Sequence, residues 1–194
     1  MTSLVEQILA ANGRIKSISG GARETPLDEA GEFSARTGAR VLLKGEHLQP
    51  TGSFKIRGAM NKVLSLGDGE RAQGVITASS GNHGMATTLA AQLGQARVTV
   101  YLPESVSPLK LSNIQRMGAD TVLVPGAGVE CERAGRAAAE KEDRVFVSPY
   151  SDWDIIAGQG TIAREMLKQS PDIDIIVAGI GAPFLRCIAV VNVI

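Results

Sequence analysis

Hydrophobic and polar positions alternate between two periods along the 194-residue chain. The stretch RVLLKGE (Arg40–Glu46) has the apolar density of a strand. FKIRGAMNKVLSLG (Phe54–Gly67) switches to helical spacing, with Ile56, Met60, Val63 and Leu64 on one side. GVITAS (Gly74–Ser79) reads as a short buried strand, and GMATTLAAQLG (Gly84–Gly94) as an Ala-rich helix stopped by a glycine. RVTVYLP, DTVLVPG and RVFVSP read as further strands. The helical stretches SPLKLSNIQRMG, with Pro108 near its start, and ECERAGRAAAEKED separate them. DWDIIAGQGTIAREMLKQS contains a helix, and DIDIIVAGIG begins a buried strand. At the amino terminus, MTSLVEQILAANGRIKS carries Glu6, Asn12 and Arg14 among its apolar residues, which fits an amphipathic helix and not a signal peptide.

Strands and helices in turn, joined by short links, predict an α/β fold of parallel twisted sheets with helices on both faces. Right-handed crossovers then bring the strands' carboxyl ends to one edge, where ligands bind. The length suits one domain or two small lobes. No repeat, low-complexity tract or polar linker divides the chain, so a second lobe has to be reached through short turns. Those near Gly74 and Pro149 are the candidates, giving a large lobe of residues 1–73 and 149–194 and a small lobe of residues 74–148.

Composition narrows the partners. Lys plus Arg equals Asp plus Glu, 20 each, so no long-range field attracts nucleic acid, and 4% aromatic residues supply few stacking platforms. No apolar run approaches the roughly 20 residues of a membrane span. Cys131 and Cys187 form no C-x-x-C pair and no Cys/His cluster, so neither a metal site nor a disulfide framework is expected. The cytoplasm is the expected compartment.

Two stretches carry candidate chemistry. In TASSGNHGMATT (Thr77–Thr88), Ser79, Ser80, Gly81, Asn82 and His83 lie at a strand's carboxyl end and a helix's amino end. The first amides of a helix lack internal partners and its dipole favours an anion, so a carboxylate or phosphate suits this corner. A helix cap with spare polar residues explains the same pattern. His83 reads as a structural hydrogen-bonding group or as a general base. In PTGSFKIRGAM (Pro50–Met60), Lys55 sits behind a Gly-Ser-Phe turn at the start of a helical pattern. In a dry, crowded site such a lysine loses its proton more easily and attacks carbonyls; otherwise it is a solvated neighbour of Arg57.

TGSFKIRGA and SSGNHG, together and in this order, resemble the fold-type-II pyridoxal phosphate enzymes (tryptophan synthase β-like), in particular the serine/threonine dehydratases and serine racemases. TPL (Thr25–Leu27), KGEHLQPTGSFKIRGAMN (Lys44–Asn61), MGAD (Met117–Asp120) and YSDWDIIAGQGTIAREML (Tyr150–Leu167) extend the resemblance from about Thr25 to about Val177. Phe54, Ile56 and His83 place it on the dehydratase/racemase branch. The resemblance implies the cofactor pyridoxal 5'-phosphate, bonded to Lys55 as a Schiff base. It implies that Phe54 packs on the cofactor ring and Asn82 meets the ring hydroxyl. It implies that Ser79, Ser80, Gly81 and His83 clasp the carboxylate of a small amino-acid substrate. The implied reaction is β-elimination of L-threonine or L-serine to a 2-keto acid and ammonia, with Lys55 taking the α-proton.

The family next has a tetraglycine loop whose amides cradle the cofactor phosphate. Here VAGIGAPFLRCIAVVNVI keeps Gly179 and Gly181 as the cofactor-binding candidates, but Ile180, Ala182, Pro183 and Phe184 crowd the place, and Pro183 has no N–H to give. The chain ends at Ile194, which predicts a C-terminally truncated large lobe. Three outcomes stay open: an active dehydratase, a serine racemase, and a non-catalytic remnant or partner-binding module of the same fold. Oligomeric state stays open as well, a homodimer included. A dinucleotide-binding domain would need G-x-G-x-x-G after its first strand, and none occurs.

Overall fold

The computed structural model describes residues 2–178 and 188–192. Helix α1 (Leu4–Lys16) opens on a reciprocal cap, with the Ser3 hydroxyl accepting from the Glu6 amide and the Glu6 carboxylate accepting from the Ser3 amide. A strand β1 (Leu27–Glu29), a short helix α2 (Gly31–Thr37), strand β2 (Arg40–Lys44) and a single 3-10 turn (Glu46–Leu48) lead to helix α3 (Lys55–Ser65). The expected apolar stripe of α3 is present: Ile56, Met60 and Val63 are buried, packed with Ile15 of α1 and with Ala86 and Ala90 of helix α5 (Asn82–Leu93). A side chain of that size contributes roughly 1.5–3 kcal/mol when fully buried. α3 also packs on helix α8 (Trp153–Gln169), making it the hub of the helical layer. α3 and α8 cross with backbones in contact: a Cβ on Gly158 would lie 2.6 Å from both the Arg57 carbonyl oxygen and the Gly58 Cα. Only glycine fits that crossing.

After helix α4 (Asp68–Gln73) the chain builds a parallel sheet, as the sequence pattern predicts. Its strands are β3 (Val75–Ala78), β4 (Val98–Pro103), β5 (Asp120–Val124) and β6 (Val145–Phe146), in the spatial order β5-β4-β3-β6. β3 is buried at all four residues, as an interior strand covered on both faces must be. α5 links β3 to β4, helix α6 (Pro108–Arg116) links β4 to β5, and helix α7 (Gly128–Lys141) carries the chain back to β6 on the far side of β3. The strand order therefore reverses between β3 and β6.

A second sheet has the order β1-β2-β8-β7, with β7 (Ile175–Val177) and β8 (Ile188–Asn192). Its described pairs are all antiparallel, which differs from the parallel pairing the sequence pattern predicts there. Residues 178–187 join β7 to β8, and a parallel crossover needs about a dozen or more. The strand predicted in DIDIIVAGIG exists but is not buried: Ile175, Ile176 and Val177 are 44%, 44% and 49% exposed. β7 is the last strand of its sheet, with β8 as its hydrogen-bonded neighbour. The elements β1, α2 and α4 fall outside the sequence pattern because each is too short to repeat a period.

Candidate active site at the strand-order reversal

In open α/β sheets, ligands bind beyond the carboxyl ends of the strands where the order reverses. Two loops meet at that point. Ser79, Ser80 and Gly81 join β3 to α5, and residues 147–152 join β6 to α8. Asn82 and His83 open α5, so the five residues singled out in TASSGNHG do form a strand-to-helix corner. The corner is tight. The Ser79 hydroxyl accepts from the Gly81 amide at 3.2 Å, and a Cβ on Gly84 would meet the Ser79 carbonyl at 2.3 Å, so only glycine lets the helix start this close. Ser79, Ser80, Gly81 and Asn82 are half-buried.

Lys55 is the first residue of α3, and Phe54 caps the helix before it. Its Nζ donates to the Pro149 carbonyl at 2.9 Å and lies 5.2 Å and 5.5 Å from the ring centroids of Phe54 and Tyr150. Among the described residues no carboxylate is hydrogen-bonded to it, and burial pulls its pKa below the ordinary lysine value. Lys44 makes the contrast. It is fully buried, ion-paired to Glu165 at 2.8 Å and bonded to the Thr25 carbonyl and the Gln169 side chain, so its ammonium is committed.

His83 is 3% exposed. Its Nε2 lies 3.1 Å from the Val147 carbonyl, which can only accept, so Nε2 carries the hydrogen and Nδ1 is a bare acceptor. Nδ1 is buried without a partner among the described residues. Desolvation, with a smaller contribution from the Lys55 charge, lowers its pKa to about 4, against the hydrogen bond to Val147. His83 and Lys55 belong to one site because both side chains hold carbonyls of the segment Val147–Pro149. Thr77 of β3 holds it too, its hydroxyl donating to Val147 at 2.9 Å.

The His83 shift predicts a stability profile. Between pH 6.5 and about 4 the unfolded chain takes up a proton that the folded chain refuses. The contribution is complete above 6.5 and is lost as pH falls towards 4, by roughly 3 kcal/mol in all. Urea midpoints should therefore drop across that window in the wild type and drop less in His83→Gln. Parallel profiles for the two proteins would contradict the buried neutral imidazole.

Sequence reasoning treated Arg57 as a neighbour of Lys55. The structure makes it the centre of a buried ion cluster. Its Nε and Nη2 donate to Glu46 at 2.8 and 2.7 Å, and its Nη1 and Nη2 donate to Glu165 at 2.7 and 2.8 Å. Thr161 and the Arg23 carbonyl take further Arg57 hydrogens. Burial works against its charge, but the bonds to Glu46 and Glu165 hold the guanidinium above its ordinary pKa. Burial would likewise raise Glu165, yet Arg57 and Lys44 hold its carboxyl below the usual range. Two cations and two anions leave the cluster neutral. It joins β2, the 3-10 turn, α3 and α8 directly behind Lys55. The apolar stripe gave no sign of it, although polar residues at Lys44, Glu46 and Arg57 within a motif of high apolar density are such a sign.

An amine with a depressed pKa, an aromatic face beside it and the amino end of α5 suit a small aldehyde-bearing anion. Gly179 and Gly181 lie outside the described residues, and so do Ile180 and Pro183. Among the described residues no group of three or more His, Cys, Asp or Glu could hold a metal ion, and no helix is long and apolar enough to cross a membrane.

Known proteins resemble this chain over most of its length. Residues 18–182 match the family model described as pyridoxal-phosphate dependent enzyme. An L-threonine ammonia-lyase of Thermotoga maritima is 37% identical over 177 residues, covering 91% of this chain and 43% of its own. An L-threo-3-hydroxyaspartate ammonia-lyase of Saccharomyces cerevisiae is 36% identical over 174 residues, covering 90% and 52%. The structure of maize serine racemase superposes with a TM-score of 0.81 at 31% identity, covering 88% of this chain and 51% of that one. The chain belongs to the pyridoxal-phosphate dependent enzymes, with the fold of the fold-type-II group. It spans about half the length of the curated relatives it matches.

Proposed function

We propose that this chain carries the lysine-bearing part of an ammonia-lyase that converts L-threonine or L-serine to a 2-keto acid and ammonia. The observation that supports it is Lys55, half-buried and with no acidic partner among the described residues, holding the Pro149 carbonyl two residues from the Val147 carbonyl that His83 of the corner holds. Pyridoxal phosphate supplies an electron sink for the charge left when the α-proton departs. Lys55 Nζ is the group that bonds the cofactor aldehyde and, once freed, takes the α-proton. Phe54 walls the ring side of the site and keeps water away from Nζ. The first amides of α5, beside Ser79, Ser80 and Gly81, bind the substrate carboxylate, and Asn82 meets the cofactor's ring hydroxyl. His83 contributes its main-chain amide, because its ring hydrogen is already given to Val147. The substrate's Cβ–O bond breaks with loss of water, and hydrolysis of the released enamine gives the keto acid and ammonia. On this reading residues 74–148 form the small lobe, and residues 1–73 with 149–194 belong to the large one.

Keto-acid release decides the substrate. Protein supplied with pyridoxal phosphate should release keto acid from L-threonine or L-serine, and Lys55→Ala should not. Turnover of L-threo-3-hydroxyaspartate alone would replace the substrate, and D-serine formed from L-serine would replace lyase by racemase. A folded wild type that does none of these would leave a non-catalytic module of the fold.

A further inference from the structure

The segment Pro149–Asp152 runs as a strap along one face of α3. Lys55 and Lys62 stand seven residues apart on that helix, two turns or about 10 Å along its axis. Residues 149–151 bend, with the Ser148 hydroxyl accepting from the Tyr150 and Ser151 amides, and each lysine meets one end of the segment. Lys55 Nζ donates to the Pro149 carbonyl at 2.9 Å, while Lys62 Nζ lies 2.9 Å from Asp152 and 3.2 Å from Asp154. Asn61 reinforces the second end, donating to the Asp154 carbonyl at 2.7 Å while accepting from Arg14 at 2.6 Å. Asp152 also caps α8, accepting from the amides of Asp154 and Ile155 at 2.8 and 3.2 Å. Burial works against the Lys62 charge, but Asp152 and Asp154 outweigh it.

We propose that Lys62 and Asp152 are positioning residues for Lys55: their ion pair holds the Pro149–Tyr150 turn against the Lys55 amine and keeps that amine out of bulk water. The proposal rests on the reading of Lys55 as the reacting amine. Neither Lys62 nor Asp152 touches the reacting atoms. Without the pair, the turn itself keeps the Ser148 hydroxyl, which accepts from the Tyr150 and Ser151 amides at 3.3 and 3.2 Å, and the bond from Lys55, while Asn61 and the Asp152 cap hold the chain beyond it. Among the described residues the titratable groups beside Lys55 are His83 from α5, which is neutral near pH 7, and the phenol of Tyr150 from the strap. Any gain of water at Nζ therefore registers as a change in when that amine gives up its proton.

The test needs no cofactor. Lys55 is labelled with trinitrobenzenesulfonate across a pH series in the full chain, and the extent at that residue is read by peptide mass mapping. Lys62→Met should move the labelling midpoint of Lys55 upward by roughly half a pH unit, about threefold slower labelling at a fixed pH below the midpoint. Lys62→Arg, which keeps the ion pair, should restore the profile. Trp153, the sole tryptophan and part of the N-terminal turn of α8, should report the loosened strap as a fluorescence shift in Lys62→Met alone. If Lys62→Met does not fold, Asp152→Asn serves the same purpose, because asparagine keeps the helix cap and removes the charge. A folded variant whose Lys55 profile matches the wild type, with only thermal stability lowered, overturns the proposal. That result leaves the cofactor reading standing, and a wild type that never binds pyridoxal phosphate leaves the labelling test equally valid.

Discussion

Arg57→Met should cost about 3–5 kcal/mol of folding stability, the penalty for breaking a buried ion pair on one side. Domains of this size have about 5–15 kcal/mol in total, so the variant should be partly unfolded at 37 °C. The physical reason is charge, not volume. Methionine fills much of the space, but Glu46 and Glu165 are left buried with Lys44 as the one remaining cation of the cluster, and Lys44 is ion-paired to Glu165 alone. Among the described residues Glu46 then keeps the Thr25 hydroxyl at 2.6 Å and the Gln49 amide at 3.3–3.4 Å. Urea denaturation followed by circular dichroism measures the loss. Replacing the whole set at once, with Lys44→Met, Glu46→Leu, Arg57→Met and Glu165→Met, should recover most of it, since a well-packed apolar set of similar volume is often neutral or better. If Arg57→Met is as stable as the wild type, the cluster does not hold α3 in place.

Local pattern reached some parts of this molecule and not others. The strand-to-helix corner at Ser79–His83 was legible because one contiguous stretch contains the strand end, the glycines and the helix start. Lys55 was legible for a related reason: a turn and a helix start fix its place within a few residues. The reversal between β3 and β6 was not, because it depends on β6 pairing with β3 and not with β5, a tertiary choice no local period encodes. The same holds for the ion cluster, whose Arg57 and Glu165 lie 108 residues apart, and for the Lys62–Asp152 pair. Even so, DWD ahead of a helical pattern was a readable cap, and a lysine two turns after Lys55 was a readable coincidence of face. The antiparallel pairing of β7 with β8 was missed because repetition of the βα unit was extended past the point where the connecting segment is long enough for it.

Lys55→Ala should remove the chain's covalent hold on its cofactor altogether. On the proposed reading Ser79–His83 and Phe54 contribute orientation, and Nζ is the group among them that bonds an aldehyde carbon. The other near lysines are spoken for. Lys44 is buried against Glu165, and Lys62 is paired with Asp152 and Asp154. The substitution deletes no core side chain, but the Pro149 carbonyl it releases belongs to a buried residue, so folding should survive with a loss of about 1–3 kcal/mol for an acceptor left without its partner. Circular dichroism and the urea midpoint establish that the variant is intact before its binding is read. The decisive measurement is then the visible absorbance spectrum of wild type and Lys55→Ala after incubation with pyridoxal phosphate and removal of the excess. A protein-bound visible band in the wild type that is absent from the folded variant is the expected result. No band in the wild type, or one of equal strength in both proteins, would contradict the assignment of Lys55 as the cofactor lysine.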